Sequence, residues 1–238
     1  MTGNLRTSYS ILSALRFLAI RLYSRFINRY ARISFSQEGE DLLLRRIFEN
    51  QKFGFYVDVG AHHPRRFSNT HIFYQLGWRG VNIEPNPEIQ LLFKKLRSRD
   101  FNIQRGVSEQ TSQLTYYMFN ESALNTFDEK LAHEYESHSY KIKKEVLIDV
   151  SRLDDLLNEV VPQGVEIDFM TIDVEGYDLC VLKSNDWEKF RPKVLLVEIL
   201  GATLTSVIRT EEHRFIKDQC YELIAKTVNT FIYRDTRN

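Results

Sequence analysis

Phe55-Tyr-Val-Asp-Val-Gly-Ala-His62, followed by Val81-Asn-Ile-Glu84-Pro85, decides the fold of this chain. Each stretch is an apolar run too short for a helix, and each meets an acidic residue at or near its end. A continuous apolar strand needs cover on both faces, which is the habit of parallel sheets in wound α/β proteins. There, a tight turn at one strand tip and a carboxylate at the next create a place for an adenosine group, with the ribose hydroxyls on the acid.

Working outward, strands are expected at Phe55–Val59, Gly80–Ile83, Asn102–Val107, Leu114–Phe119, Val146–Val150, Ile167–Ile172 and Val194–Leu200. Helices are expected at Asp41–Phe48 with Ser36 as its cap, Asn69–Leu76 ended by Gly77, Pro87–Arg97, Asp128–Tyr140, Leu153–Val160 and Tyr177–Lys183. After Glu211 come one helix and two strands, turning near Val228-Asn229-Thr230. The alternation predicts an α/β protein: a Rossmann-like, mostly parallel sheet with an antiparallel C-terminal edge hairpin.

The 238 residues, 43% hydrophobic, suffice for one such domain, read as residues 35–238. Lysine plus arginine and aspartate plus glutamate both number 32, and this balance argues against a general nucleic-acid binder. Cys180 and Cys220 lie in apolar stretches and read as buried reduced thiols, in keeping with the cytoplasm. No Cys/His pattern signals zinc. Residues 1–34 are different: six arginines (Arg6, Arg16, Arg21, Arg25, Arg29, Arg32), no acidic residue, and interleaved Leu, Ile, Phe and Tyr. The expectation is a basic amphipathic helical appendage. It either packs on protein or lies on an anionic membrane surface at the inner face; its longest uncharged run is too short to span a bilayer.

The chemistry gathers at strand tips. In Asp58-Val-Gly60-Ala61-His62, the small residue permits a tight turn, and Asp58 can accept bonds from that turn or meet an ammonium. Glu84 can accept two adjacent ribose hydroxyls. No GxGxxG follows the first strand, so a pyrophosphate cofactor is disfavoured and S-adenosylmethionine favoured. Asp173 and Glu175 emerge after Ile167–Ile172, where a carboxylate can take a proton from an attacking hydroxyl. With Glu198, set inside Val194–Leu200, they can also hold a divalent cation; a plainer alternative gives Glu198 a salt bridge to an arginine. His63, beside Pro64, is a catalytic candidate facing the acceptor, and His62 a cofactor-lining one. The aromatic residues Tyr116, Tyr117, Phe119, Phe127, Tyr135 and Tyr140 offer an acceptor wall.

Together these pieces resemble the FkbM family of S-adenosylmethionine-dependent methyltransferases. The matching segments are Ser36-Gln37-x-Gly39-Glu-Asp41, Val57–His62, Ser68-Asn-Thr70, Gly77-Trp-Arg-Gly80, Ile83-Glu-Pro-Asn-Pro87, Leu124-Asn-Thr126, Ile172–Gly176 and Leu196-Val-Glu198. The resemblance implies O-methylation of a saccharide or natural-product hydroxyl. It implies that Asp58, Gly60 and Ala61 line the methionine part and that Glu84 holds the ribose; Gln37, His62, Pro85 and Asn86 are further cofactor-binding candidates. Gly106, Val107 and Ser108 would approach the adenine, and Asp173 and Glu175 the reaction centre. His62 stands where methyltransferase turns often carry a second glycine. Two rivals remain: a nucleotide-dependent oxidoreductase, and a non-catalytic nucleoside-binding or membrane-associated scaffold of the same fold.

Overall fold

The structure, a computed structural model, describes residues 30–237 together with Ala19, Leu22 and Asn28. Chain contacts separate residues 1–34 from residues 35–238. The expected basic helix falls almost wholly outside the described residues. Among those residues no helix is long and apolar enough to cross a membrane.

Ten strands and seven α-helices follow in the second unit: α1 Glu40–Ile47, β1 Phe55–Val59, α2 His71–Gln75, β2 Arg79–Ile83, α3 Gln90–Leu96, β3 Phe101–Ile103, β4 Gly106–Val107, β5 Ser112–Phe119, α4 Glu129–Ser137, β6 Ile142–Ser151, α5 Leu153–Val160, β7 Phe169–Ile172, α6 Asp178–Lys183, β8 Val194–Glu198, α7 Glu211–Asp218, β9 Tyr221–Lys226 and β10 Thr230–Asp235. Seven strands form one sheet in the order β3-β2-β1-β7-β8-β10-β9. Pairing is parallel from β3 to β8; β10 runs antiparallel between β8 and β9. The antiparallel strand is thus the inner member of the closing hairpin, and β9 forms the edge.

Both faces of the sheet are covered, which is why β1 and β7 are buried at every position without alternation. Val57, Val59, Val81, Ile83, Met170 and Ile172 face one core. Tyr56, Phe169, Val194, Leu196 and Ile232 face the other. Each such side chain contributes about 1.5–3 kcal/mol on burial. From β1 the chain builds outward through β2 and β3, then returns to lay β7 on the other side of β1. That reversal opens a crevice at the carboxyl ends of β1 and β7.

The predicted strand Asn102–Val107 divides. Residues up to Ile103 stay beside β2, whereas Gly106 and Val107 pair with β6 in a second sheet of order β4-β6-β5. Strand β6 starts at Ile142 rather than Val146, because β5 holds it in antiparallel register from Ser112 to Phe119. Helix α1 is capped at Gly39 rather than Ser36, although the Ser36 hydroxyl still accepts from the Gly39 amide at 3.1 Å. Cys220 departs from expectation: it is exposed, at φ 64° in the turn before β9, and Cys180 is half-buried.

Candidate active site

Gly60 creates the site by being small. It sits at φ 79°, and a Cβ there would lie 1.8 Å from the carbonyl oxygen of Asp173. The tips of β1, β2 and β7 are therefore stitched closely. The Gly60 and Ala61 amides donate to the Ile83 carbonyl at 3.0 and 3.1 Å, and the Asp173 amide to Val59 at 3.1 Å. In front of these tips lies a hollow of about 1060 Å³, its open mouth included. Gln37, Gly60, His62, Glu84, Pro85, Gly106, Val107, Asp173, Glu175 and Glu198 line it, all expected at the site.

At one end stands Glu84, 5% exposed. Its two oxygens accept from the His62 amide at 2.7 Å and the Asn86 amide at 2.8 Å, and the Tyr116 hydroxyl bonds it as well. Burial nevertheless pushes its pKa up to about 7, outweighing the bonds that favour the anion. A carboxylate oxygen has lone pairs for more than one donor, so this fixed group can still receive a ligand's hydroxyls.

At the other end, one carboxylate oxygen each from Asp173, Glu175 and Glu198 lies within 4.8 Å of the others. Asp173 opens to the hollow. Glu175 takes φ 50°, a left-handed backbone that non-glycine residues adopt at a cost of order 1–3 kcal/mol. The Tyr135 hydroxyl donates to Glu175 Oε2 at 2.7 Å, and the Thr126 hydroxyl to the Glu175 carbonyl at 2.7 Å. Asp178 braces the loop by accepting from the Val174 and Gly176 amides. All three carboxyls are pushed upward, first by burial and then, for Glu175 and Glu198, by the neighbouring negative charges. The expected alternative for Glu198, a salt bridge to arginine, is not formed among the described residues. Its Oε2 is instead buried with no hydrogen-bond partner among them.

Several expected residues stand elsewhere. Asp58 does not line the hollow. Side chains alternate along β1, and since Val59 reaches the hollow, Asp58 projects to the Tyr56 side. There it accepts from the Thr70 hydroxyl at 2.7 Å, whose oxygen in turn accepts from the fully buried Arg97 at 2.6 Å. His63 also lies outside; its Nδ1 accepts from the Arg65 and Arg66 amides and so caps a turn. Ala61 and Asn86 act through backbone amides, and Ser108 hydrogen-bonds Tyr177, which does line the hollow. Of the aromatic wall, Tyr116, Phe127 and Tyr135 border the hollow. Tyr117 and Phe119, on the other face of β5, pack against Ala132, and Tyr140 contributes no lining. Sequence reasoning missed Phe67 and Asn229 as lining residues: neither sits at a strand tip of the parallel sheet, and only folding brings them in.

The Methyltransferase FkbM domain family matches residues 58–223. This chain belongs to the FkbM methyltransferase family. Its chemistry is therefore methyl transfer with S-adenosylmethionine as donor. The sheet order is that of a mostly parallel α/β fold with antiparallel C-terminal strands. Solved structures similar to it include a TehB-like S-adenosylmethionine-dependent methyltransferase from Corynebacterium glutamicum, with 10% identity, TM-score 0.42, and coverage of 97% of this chain and 100% of that one. A precorrin-6y C5,15-methyltransferase from Geobacter metallireducens shows 11% identity, TM-score 0.41 and coverage of 81% and 84%. The 1,6-didemethyltoxoflavin-N1-methyltransferase of Burkholderia thailandensis, solved with its substrate and S-adenosylhomocysteine, shows 10% identity, TM-score 0.43 and coverage of 96% and 90%. A search of curated proteins found no match.

Proposed function

We propose that this FkbM-family protein methylates a hydroxyl oxygen of a saccharide or natural-product acceptor. The observation that carries the reading is the polarity of one hollow: an ordered carboxylate for a nucleoside at one end, and a proton-holding group of carboxylates at the other. In this reading Glu84 takes the ribose hydroxyls, Gly106 and Val107 border the adenine, and Gln37, Gly60 and His62 border the methionine. The acceptor oxygen attacks the methyl carbon as the carbon–sulfur bond breaks. The hydroxyl proton passes to a carboxylate of the Asp173 group, and the donor leaves as neutral S-adenosylhomocysteine. Alignment of the two reactants contributes up to about 7–11 kcal/mol in favourable systems, and a positioned base roughly 10²–10⁴-fold. In this reading His63 caps a turn outside the hollow and takes no part.

The test is Asp173→Asn. Cofactor affinity by calorimetry stays within about twofold, and turnover falls by at least roughly 10²-fold. Full turnover in that variant removes the base role. One observation favours a second reading: the buried, unpartnered Glu198 Oε2 beside two further carboxylates is also the donor set of a hard divalent cation. Chelation followed by Mg²⁺ or Mn²⁺ addition separates the two, since a base mechanism is indifferent to both steps.

A further inference from the structure

Two turns far apart in the chain meet at the hollow. One follows β1 and holds His62, Arg66 and Phe67; the other follows β5 and holds the 3₁₀ turn Ser122–Leu124. His62 and Phe67 line the hollow from the first, and residues 122–125 line it from the second. Side chains join them. Arg66 grips Glu121 through two parallel bonds, Nη1 to Oε1 at 2.9 Å and Nη2 to Oε2 at 3.1 Å. The His62 ring hydrogen-bonds the Ser122 backbone. Among the described residues no backbone–backbone hydrogen bond links the two turns.

The Arg66 side is set in advance. His62 and Phe67 both take left-handed backbone, φ 48° and 54°, which persists in non-glycine residues only where the surroundings hold it. The Phe67 ring stacks on His62 at 6.2 Å, and the Arg66 guanidinium lies over the Phe67 ring at 4.2 Å. The guanidinium is thus aimed before it meets Glu121, and pairing costs it less rotamer freedom.

The Glu121 side is a tip on firm roots. Before it, the Asn120 amide donates to the Lys141 carbonyl at 3.0 Å, and Asn120 Oδ1 accepts from the Lys141 amide at 3.1 Å. After it, Asn125 Oδ1 accepts from the Phe119 amide at 2.8 Å, and the Thr126 hydroxyl donates to the Glu175 carbonyl at 2.7 Å. Asn125 also hydrogen-bonds Tyr116, which bonds Glu84. Both side chains of the ion pair are partly open to solvent, 43% and 40%. The pair can therefore part without stranding a buried charge, and salt weakens it.

We propose that residues 121–125 form a lid on the donor end of the hollow and that Arg66–Glu121 is its latch, so that S-adenosylmethionine enters and S-adenosylhomocysteine leaves as the pair parts. The proposal rests on the reading above that places the donor beside Glu84, because the inner root of the lid is tied to Glu84 through Tyr116. A latch touches no ligand atom. It sets the rate of exchange in both directions and leaves affinity nearly unchanged.

The experiment uses the full chain and radiolabelled S-adenosylmethionine, with association and dissociation followed by rapid filtration and an unlabelled chase. Glu121→Gln and Arg66→Met are each expected to raise both rates about two- to fivefold, with the dissociation constant within about twofold, the range open to a partly exposed pair. High salt should speed exchange in the wild-type chain by a similar factor and leave both variants unmoved; the wild-type arm does not depend on any variant folding. The double reversal, Arg66→Glu with Glu121→Arg, should bring both rates part of the way back, which a loop merely loosened would not do. Wild-type rates in both variants, exchange indifferent to salt, no recovery in the double reversal, or faster dissociation alone with affinity lost in proportion would each overturn the latch. Affinity unchanged by Glu84→Ala would instead place the donor elsewhere and overturn the reading of the hollow, and the lid with it.

Discussion

Asp58 and Glu84 are acidic residues on adjacent strands, and the fold uses them in opposite ways. Asp58 lies within β1, where alternation turns it under the sheet toward Thr70 and Arg97. Glu84 follows the last residue of β2, is free of that constraint, and turns into the hollow, where two backbone amides orient it. One carboxylate organises the scaffold and the other faces the hollow. The difference teaches that an acid's distance from the strand end, and not its presence in a motif, selects its role.

The scaffold half of this comparison depends most on Arg97. Its guanidinium, fully buried, donates to the Pro64 carbonyl, the Tyr56, Ser68 and Thr70 hydroxyls, and Asp100. Replacing it with methionine leaves Asp100 and Asp58 without their buried cation. Arg97→Met should lower the unfolding free energy by about 3–5 kcal/mol, read by urea titration. A loss below about 1 kcal/mol would show that the network is dispensable.

The ligand half depends on Glu84. Glu84→Ala should weaken S-adenosylmethionine binding by at least roughly a hundredfold, near 2.7 kcal/mol by calorimetry, with little change in melting. Its proton adds a second handle. The folded pKa is about 7, above the ordinary 4.5, so the folded protein holds a proton that, in the proposed reading, competes with the ribose hydroxyls. Cofactor affinity should therefore rise as pH increases from 6 to 8, by about tenfold, and Glu84→Gln should flatten the profile. Protein stability carries the opposite sign: the raised pKa favours the folded state at low pH, and that contribution is lost as pH rises from about 4.5 through about 7.

Asp58→Asn gives the smallest expected effect on the ligand. Its cofactor affinity should stay within about twofold, while the melting temperature falls modestly because the Thr70 bond weakens. A large affinity loss would place Asp58 in contact with the cofactor and dissolve the contrast.

Legibility followed locality. β1 and α5 were readable to the residue, since a short, mostly apolar run marks the strand and helically spaced leucines among acids mark the helix. Glu84's place in the hollow was readable because it stands one position past a strand. The division of β3 from β4 was not, since Gln104 and Arg105 carry no turn signal and only pairing with β6 draws Gly106 away. The side taken by Asp58 required knowing which face of β1 meets the hollow. Phe67 and Asn229 showed nothing local, because their meaning comes from residues far along the chain.

The amino-acid order by itself determined the wound α/β architecture, the family and the cluster of acids at the strand tips, because period, run length and end residues are local properties. Tertiary structure alone decided which acids share a hollow and that Asp173, Glu175 and Glu198 crowd within 4.8 Å. The physical reason is that proximity across the sheet is set by strand order and register, which the chain fixes only when its two apolar cores close on either face.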